Sequence, residues 1–326
     1  MGHTKFIMGM RDVFFNELYH IFKQDRNCVL ITADNGAPTL DQFAMDFPKQ
    51  YYNVGIAEQQ MMGMASGMAF EGKKVYTYAI APFVTVRCYD QNKLDMCAMN
   101  LPIVNLGVGA GYAYDIMGPS HHTVEDITIM RALPNLIIYS PADGVTASAL
   151  VELTYKERSP QYIRFDRAGI PNLYEGWKIN FAEGLIPTVW QEESDVAIVA
   201  TGIMVHNALK VARHLMDRGI RASVIDLFRI KPIPSDALIK FLKSSRSLVT
   251  LEEHLLAGGM GGAIVEILSD HNFKIPTLRI GQDDRFVFDY GGREIIWEKY
   301  GLDAPSITEK ISNWLKIQTR NQALVV

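Results

Sequence analysis

Cysteine is scarce in this chain: Cys28, Cys88 and Cys97 are the only three in 326 residues. An odd number set in apolar runs argues against a disulfide framework and for reduced thiols in a core, as in a cytoplasmic protein. No Cys/His spacing resembles a zinc site. Surplus positive charge is missing as well. The net charge is −4, so no basic surface advertises nucleic-acid binding. No apolar run is long enough to span a bilayer. The start, MGHTKFIMGMRDVF, lacks the apolar stretch of a signal peptide, and Phe6 fits a Gly2 myristoylation pattern poorly. Low-complexity segments and sequence-level repeats are also absent.

What is present is a globular mixture, 48% hydrophobic and 21% charged, long enough for two ordinary domains. Helical periodicity over Met8–Lys23 leads into a buried strand, Cys28–Ala33, and a polar turn, Asp34-Asn35-Gly36. Strands then alternate with helices: Lys74–Ile80, a helix over Val86–Met99, Pro102–Val108, a helix over Val124–Leu133, Leu136–Ser140, Asp143–Lys156 and Gln161–Phe165. That alternation predicts a parallel sheet covered on both faces. The pattern weakens from Ala168 to Glu193 among Gly169, Pro171, Gly176, Gly184 and Pro187, which mark a linker. A second α/β pattern starts at Asp195 and ends in an amphipathic helix, Ser306–Ile317. The expected division is a first domain over 1–175, a linker over 176–190 and a second domain over 191–326. Both domains are expected to be doubly wound α/β.

One stretch organises the rest. Asn53–Gln91 opens with a turn and a single carboxylate, Glu58, at the head of a helix. Gly63, Ala65, Ser66, Gly67 and Ala69 keep that helix small enough for another backbone to approach, and Met61, Met62, Met64 and Met68 fill the remaining space. A β-branched run follows, then Ala81-Pro82-Phe83. Burial of Glu58 in an apolar site would raise its pKa and suit it to sharing a proton with a basic ring nitrogen, whereas the helix N-terminus favours its anion. On its own, Glu58 also reads as an ordinary helix-start acid.

Other residues carry two readings each. Phe83 suits stacking on a flat heterocycle or plain core packing. His121 and His122, after a Gly-Pro-Ser turn, suit proton exchange or hydrogen bonding to backbone. Arg11, Arg164 and Arg167 suit a phosphate or a salt bridge. Asp34 suits capping or a place beside a cofactor. Gly258-Gly259-Met260-Gly261-Gly262 hints at phosphate binding, but no Lys-Ser/Thr follows it. The adjacent Glu252, Glu253 and His254 make a poor metal site, because neighbours on a strand point oppositely.

Gly55-Ile56-Ala57-Glu58-Gln59-Gln60-Met61 resembles the G-I-x-E-Q motif of transketolase-like, thiamine-diphosphate-dependent enzymes. Phe83, Arg87-Cys88-Tyr89-Asp90-Gln91 and Gly118-Pro119-Ser120-His121-His122 follow in the family's order, and the resemblance covers nearly the whole chain. It implies a pyrimidine-binding domain followed by a transketolase C-terminal domain. It also implies that Glu58 holds the cofactor's pyrimidine ring and that Phe83 covers it. Asp34 would lie at a subunit junction near the cofactor, and Arg87 would order the interface there. Ile80 stands where the family often has a second aromatic. His121, with His122 beside it, would contact a ketose oxygen. Arg11 and Arg167, with Arg164 as a further candidate, would hold a sugar phosphate. Met117 replaces the family's usual acid four residues before the histidine, with Tyr112, Tyr114 and Asp115 as other hydroxyl contacts in the same loop.

The family holds the cofactor's diphosphate and Mg2+ through a Gly-Asp-Gly segment, which this sequence lacks. The resemblance therefore implies a split enzyme. No metal ligand is expected on this chain, and a separate N-terminal subunit supplies the diphosphate- and Mg2+-binding half, as an α2β2 heterotetramer built on a self-associating dimer. The expected activity is transfer of a two-carbon ketol unit from a ketose phosphate to an aldehyde. The alternatives are the beta subunit of a 2-oxo-acid dehydrogenase or acetoin-type enzyme, and a 1-deoxyxylulose-phosphate synthase-like activity.

Overall fold

The computed structural model describes residues 7–323, with side chains through 318. The Gly2–Phe6 pattern and the last residues lie outside that range. Six strands of the first half, β1 (Cys28–Thr32), β2 (Tyr51–Asn53), β3 (Lys74–Ile80), β4 (Ile103–Val108), β5 (Ile137–Tyr139) and β6 (Gln161–Phe165), run parallel in the spatial order β5-β6-β4-β3-β1-β2. Their side chains are apolar on both faces because helices cover both. Ile31, Val75 and Ile103 pack on Met61, Met62 and Ala65 of the helix Glu58–Phe70. Their neighbours Leu30, Tyr76 and Val104 pack on Phe14, Phe15 and Leu18 of the helix Met10–Gln24. Asp143 caps the helix Gly144–Lys156 by accepting from the Thr146 N–H at 2.8 Å.

The second half contributes β7 (Ile186–Val189), β8 (Val196–Ala200), β9 (Ala222–Asp226), β10 (Arg229–Lys231), β11 (Leu248–Leu255) and β12 (Thr277–Gln282). Five of these form a sheet in the order β12-β11-β8-β9-β7, in which only the edge strand β7 is antiparallel. β7 lies inside the stretch expected as linker. Pro187 disguises it, and an edge strand tolerates a proline because one side of the ladder needs no N–H. β10 crosses over and closes the first sheet, pairing antiparallel with β5. The two halves thus share an edge.

The helix expected over Val86–Met99 is broken. A short helix, Ala81–Thr85, is followed by a brief turn of helix and a π-helical segment, Asn92–Ala98. The buried amides of Asn92 and Asn105 both donate to the Val84 carbonyl, at 2.8 and 2.9 Å, and so compete with the helical ladder there. The helix Arg293–Tyr300 has no counterpart in the sequence pattern. It buries only Ile296 and Trp297, too few apolar positions to show a period.

Candidate active site

Six candidate residues of the first half lie beyond the carboxyl end of a parallel strand. Asp34 follows β1, Glu58 follows β2, Phe83 and Arg87 follow β3, His121 follows β4, and Arg167 follows β6. This edge is where open α/β sheets bind ligands, since the strand ends splay apart and the helix starts point into the gap. Asn53, which the sequence did not single out, ties two of these turns together. Its Oδ1 accepts from the Asp34 N–H at 3.1 Å and the Gly55 N–H at 3.0 Å. That contact holds Asp34 at φ +52°, a left-handed conformation rare outside glycine.

Glu58 is buried at the start of its helix and lines a cleft of about 410 Å3 with Ile56, Ala57, Gln59, Gln60 and Arg87. It is not the lone acid that the sequence suggests. The Arg87 guanidinium donates to its Oε1 at 2.8 Å. The same guanidinium lies 3.9 Å from the centroid of the Phe83 ring, a cation–π contact. Phe83 in turn meets His121 edge to face, with centroids 5.2 Å apart. His121 faces Tyr114 at 5.8 Å, and the Arg167 guanidinium covers Tyr114 at 4.8 Å. Glu58, Arg87, Phe83, His121, Tyr114 and Arg167 therefore form one connected row, although they span 110 positions of sequence. Ile80, part-buried at the end of β3, packs in the core beneath this row.

The electrostatics follow from this packing. Burial, and after it the charge of Arg87, lowers the pKa of His121 and favours the neutral imidazole. Ser120 Oγ lies 3.0 Å from its Nδ1. His122 is buried, its pKa lowered by burial against a hydrogen bond to the Asp115 backbone, and its Nε2 has no partner. Arg11 donates to the Tyr78 hydroxyl at 3.1 Å and pairs with Asp12. Burial raises the pKa of the Tyr114 hydroxyl, and Arg167 and Arg11 lower it in part, so both guanidinium groups face it.

Three expectations need correction. Arg164 is not available to a substrate phosphate. Its side chain is 4% exposed, and it forks onto both oxygens of Asp126 at 2.8 and 3.2 Å and onto the Thr123 carbonyl. Tyr112 is turned away from the cleft and donates to Gln282 Oε1 at 2.8 Å. Asp115 accepts from the Arg293 N–H at 3.0 Å, so it serves the contact between the halves. The glycine-rich segment near 260 is likewise occupied from within, because Glu252 accepts from the Met260 and Gly261 N–H groups at 2.6 and 2.8 Å. Glu253 and His254 are also spent on packing partners: Glu253 pairs with Arg293, and His254 Nε2 accepts from the Ile127 N–H at 3.1 Å. Among the described residues, no group of three or more His, Cys, Asp or Glu side chains is placed to hold a metal ion.

With the row of residues in place, comparison with known proteins decides the family. Residues 7–172 match the transketolase pyrimidine binding domain, and residues 188–307 match the transketolase C-terminal domain. The chain is 33% identical over 311 residues to an apulose-4-phosphate transketolase subunit of Phocaeicola vulgatus, covering 95% of this chain and 98% of that one. The chain belongs to the transketolase family. A putative transketolase C-terminal section of Methanocaldococcus jannaschii is 33% identical and spans 94% of this transketolase chain. A 1-deoxy-D-xylulose-5-phosphate synthase of Caldanaerobacter subterraneus is 34% identical over 92% of the chain, which covers 48% of that longer protein. Among solved structures, a split gene transketolase described as an inactive beta4 tetramer superposes with a TM-score of 0.83 at 33% identity, covering 95% of this chain and 98% of that one. This transketolase chain is thus a transferase subunit of two α/β domains, of a family that depends on thiamine diphosphate. No helix among the described residues is long and apolar enough to cross a membrane.

Proposed function

We propose that this chain is one subunit of a split transketolase, active only when a second chain closes over the Glu58 cleft. The observation that carries the proposal is the connected row: a buried carboxylate, an aromatic ring, an imidazole and an arginine along one sheet edge. The residues suit the pyrimidine end of thiamine diphosphate. Glu58 offers a carboxylate to a basic ring nitrogen, Phe83 offers a ring face, and the unpartnered His122 Nε2 is a buried polar atom without a mate in the chain. Glu58 is free for such a ligand only once Arg87 releases it.

Thiamine diphosphate, when bound, supplies the electron sink for cleaving a ketose and transferring a two-carbon unit. Glu58 would hold the proton at the ring nitrogen, and Phe83 would orient the ring and exclude water. His121, neutral by burial, would exchange a proton with the substrate oxygen. Arg167, with Arg11 behind it, would hold the sugar phosphate. The diphosphate and Mg2+ would sit on the partner chain.

The outer face of the helix Glu58–Phe70 supports assembly. Ile56 and Phe70 are exposed, and the space around Gly63 and Gly67 is open, so the small residues that invite a close backbone find none within this chain. An α2β2 complex built on that face agrees with the subunit and tetramer described for the relatives. The three cysteines are free and buried, with thiols pushed up to about 12, first of all by burial, which suits a reducing cytoplasm.

The test is reconstitution. The chain is mixed with its partner, thiamine diphosphate and Mg2+, and assayed with xylulose 5-phosphate and an acceptor aldehyde. Turnover by this chain alone would overturn the split. Met117, exposed where the family has an acid, and the synthase among the relatives favour one second reading, acyloin formation from pyruvate. Activity with pyruvate and an aldehyde phosphate, and none with xylulose 5-phosphate, would replace the first reading by that one.

A further inference from the structure

We propose that Arg293, from the C-terminal half, is a positioning residue that sets the phosphate-binding arm of the site by fixing Tyr114 and Arg167 together. This rests on the reading of Arg167 as the phosphate ligand. Arg293 touches the site loops at three points. Its Nη1 donates to Asp166 Oδ2 at 2.6 Å, one residue before Arg167. Its Nη2 donates to the Ala110 carbonyl at 3.3 Å, and its backbone N–H to Asp115 Oδ2 at 3.0 Å. Ala110 and Asp115 bracket Tyr114, so one residue holds both flanks of the ring on which the Arg167 guanidinium lies at 4.8 Å. Asp166 Oδ1 accepts from the Ala168 N–H at 3.0 Å, which fixes the turn on the far side of Arg167.

The arrangement is built for a guanidinium. Its Nε donates to Glu253 Oε1 at 2.8 Å and its second fork also reaches Glu253, while Trp297 Nε1 donates to the same carboxylate. The side chains of Arg293, Asp166 and Glu253 are 11%, 2% and 3% exposed, so the geometry is not averaged by water. A Cβ on Gly111 would stand 1.7 Å from Glu253 Oε2, and one on Gly109 would stand 2.2 Å from the Tyr114 ring. Both glycines have positive φ and leave the loop the room it needs between Tyr114 and the second domain. Lysine carries the charge but cannot fork onto Glu253, Asp166 and a carbonyl at once.

The experiment uses the reconstituted enzyme with Arg293→Lys, Asp166→Asn and Arg167→Ala. Each is assayed with xylulose 5-phosphate and with unphosphorylated xylulose, and thermal unfolding is followed in parallel. Both Arg293→Lys and Asp166→Asn should lower kcat/KM for the phosphorylated donor about tenfold, through KM, and leave the unphosphorylated donor within about twofold, as Arg167→Ala does. Two substitutions are used so that one remains if the other does not fold. A selective loss in Arg167→Ala, with only lowered thermal stability in the other two, overturns the positioning role and leaves the phosphate reading intact. Equal effects of Arg167→Ala on both donors overturn the phosphate reading and the role of Arg293 with it.

Discussion

The chain holds two arginine–carboxylate pairs of the same chemistry and opposite circumstance. In the Glu58–Arg87 pair the carboxylate is 4% exposed and the guanidinium 43%, joined through one nitrogen. In the Asp126–Arg164 pair the exposures are 1% and 4%, and the fork is completed by the Tyr162 hydroxyl at 2.8 Å from Asp126. A half-solvated guanidinium exchanges its partner for water at little cost, whereas a buried one leaves an uncompensated charge behind. The first pair is suited to yield to a ligand, and the second holds the two halves in register. Residue type alone does not separate a site arginine from a structural one. Burial does.

The comparison breaks most visibly at Glu58. Glu58→Gln should lower turnover of the reconstituted enzyme by about 10²–10⁴-fold, the range of a lost proton-transfer group, with the assembly intact by size-exclusion chromatography. Near-normal turnover would remove Glu58 from the mechanism. At the buried pair the loss should appear in stability instead. Arg164→Met strands Asp126 and should cost about 3–5 kcal/mol in denaturant unfolding. An unchanged midpoint would contradict the account of Arg164 as structural.

A pH series sharpens the contrast. Burial raises the Glu252 carboxyl from 4.5 to about 7, against hydrogen bonds from Gly261 and Met260. A raised carboxyl binds its proton more tightly in the folded state. Its contribution to stability is therefore complete below 4.5 and is lost as pH rises through about 7. Wild type should lose thermal stability relative to Glu252→Gln across that window and run parallel to it above. His254, 3.9 Å away, is common to both proteins and cancels in the difference. Parallel curves throughout would mean that Glu252 is ionised in the fold. The smallest effect is expected at the rim, where Arg87→Ala should change stability by less than about 1 kcal/mol. The readout there is thiamine diphosphate binding to the reconstituted pair. Affinity should rise if Arg87 competes for Glu58, and a fall would make Arg87 a ligand contact instead.

Legibility in the sequence followed the strength of local signals. The strands Gln161–Phe165 and Val196–Ala200 and the cap at Asp143 were readable because buried runs and capping residues act over a few neighbours. β7, β10 and the helix Arg293–Tyr300 were not, because each is stabilised by an edge or a contact that local pattern does not encode. The motif residues Glu58, Phe83, His121 and Arg167 were legible by type and order. Their union into one row was not, since it depends on four different strand ends meeting. Asn53 and Arg293 gave no signal at all, as each acts only through residues brought to it by the fold.

By itself, then, the amino-acid order determined the alternation of strand and helix, the two-domain plan and the chemical kinds of residue available to a site. Tertiary structure alone decided which arginine faces a cleft and which is entombed, that Glu58 is paired and that the C-terminal half reaches back to hold the loop of Tyr114. The physical reason is range. Propensity and periodicity act along the chain within a turn or two, whereas burial and ion pairing depend on distances in space between residues as far apart as Asp166 and Arg293.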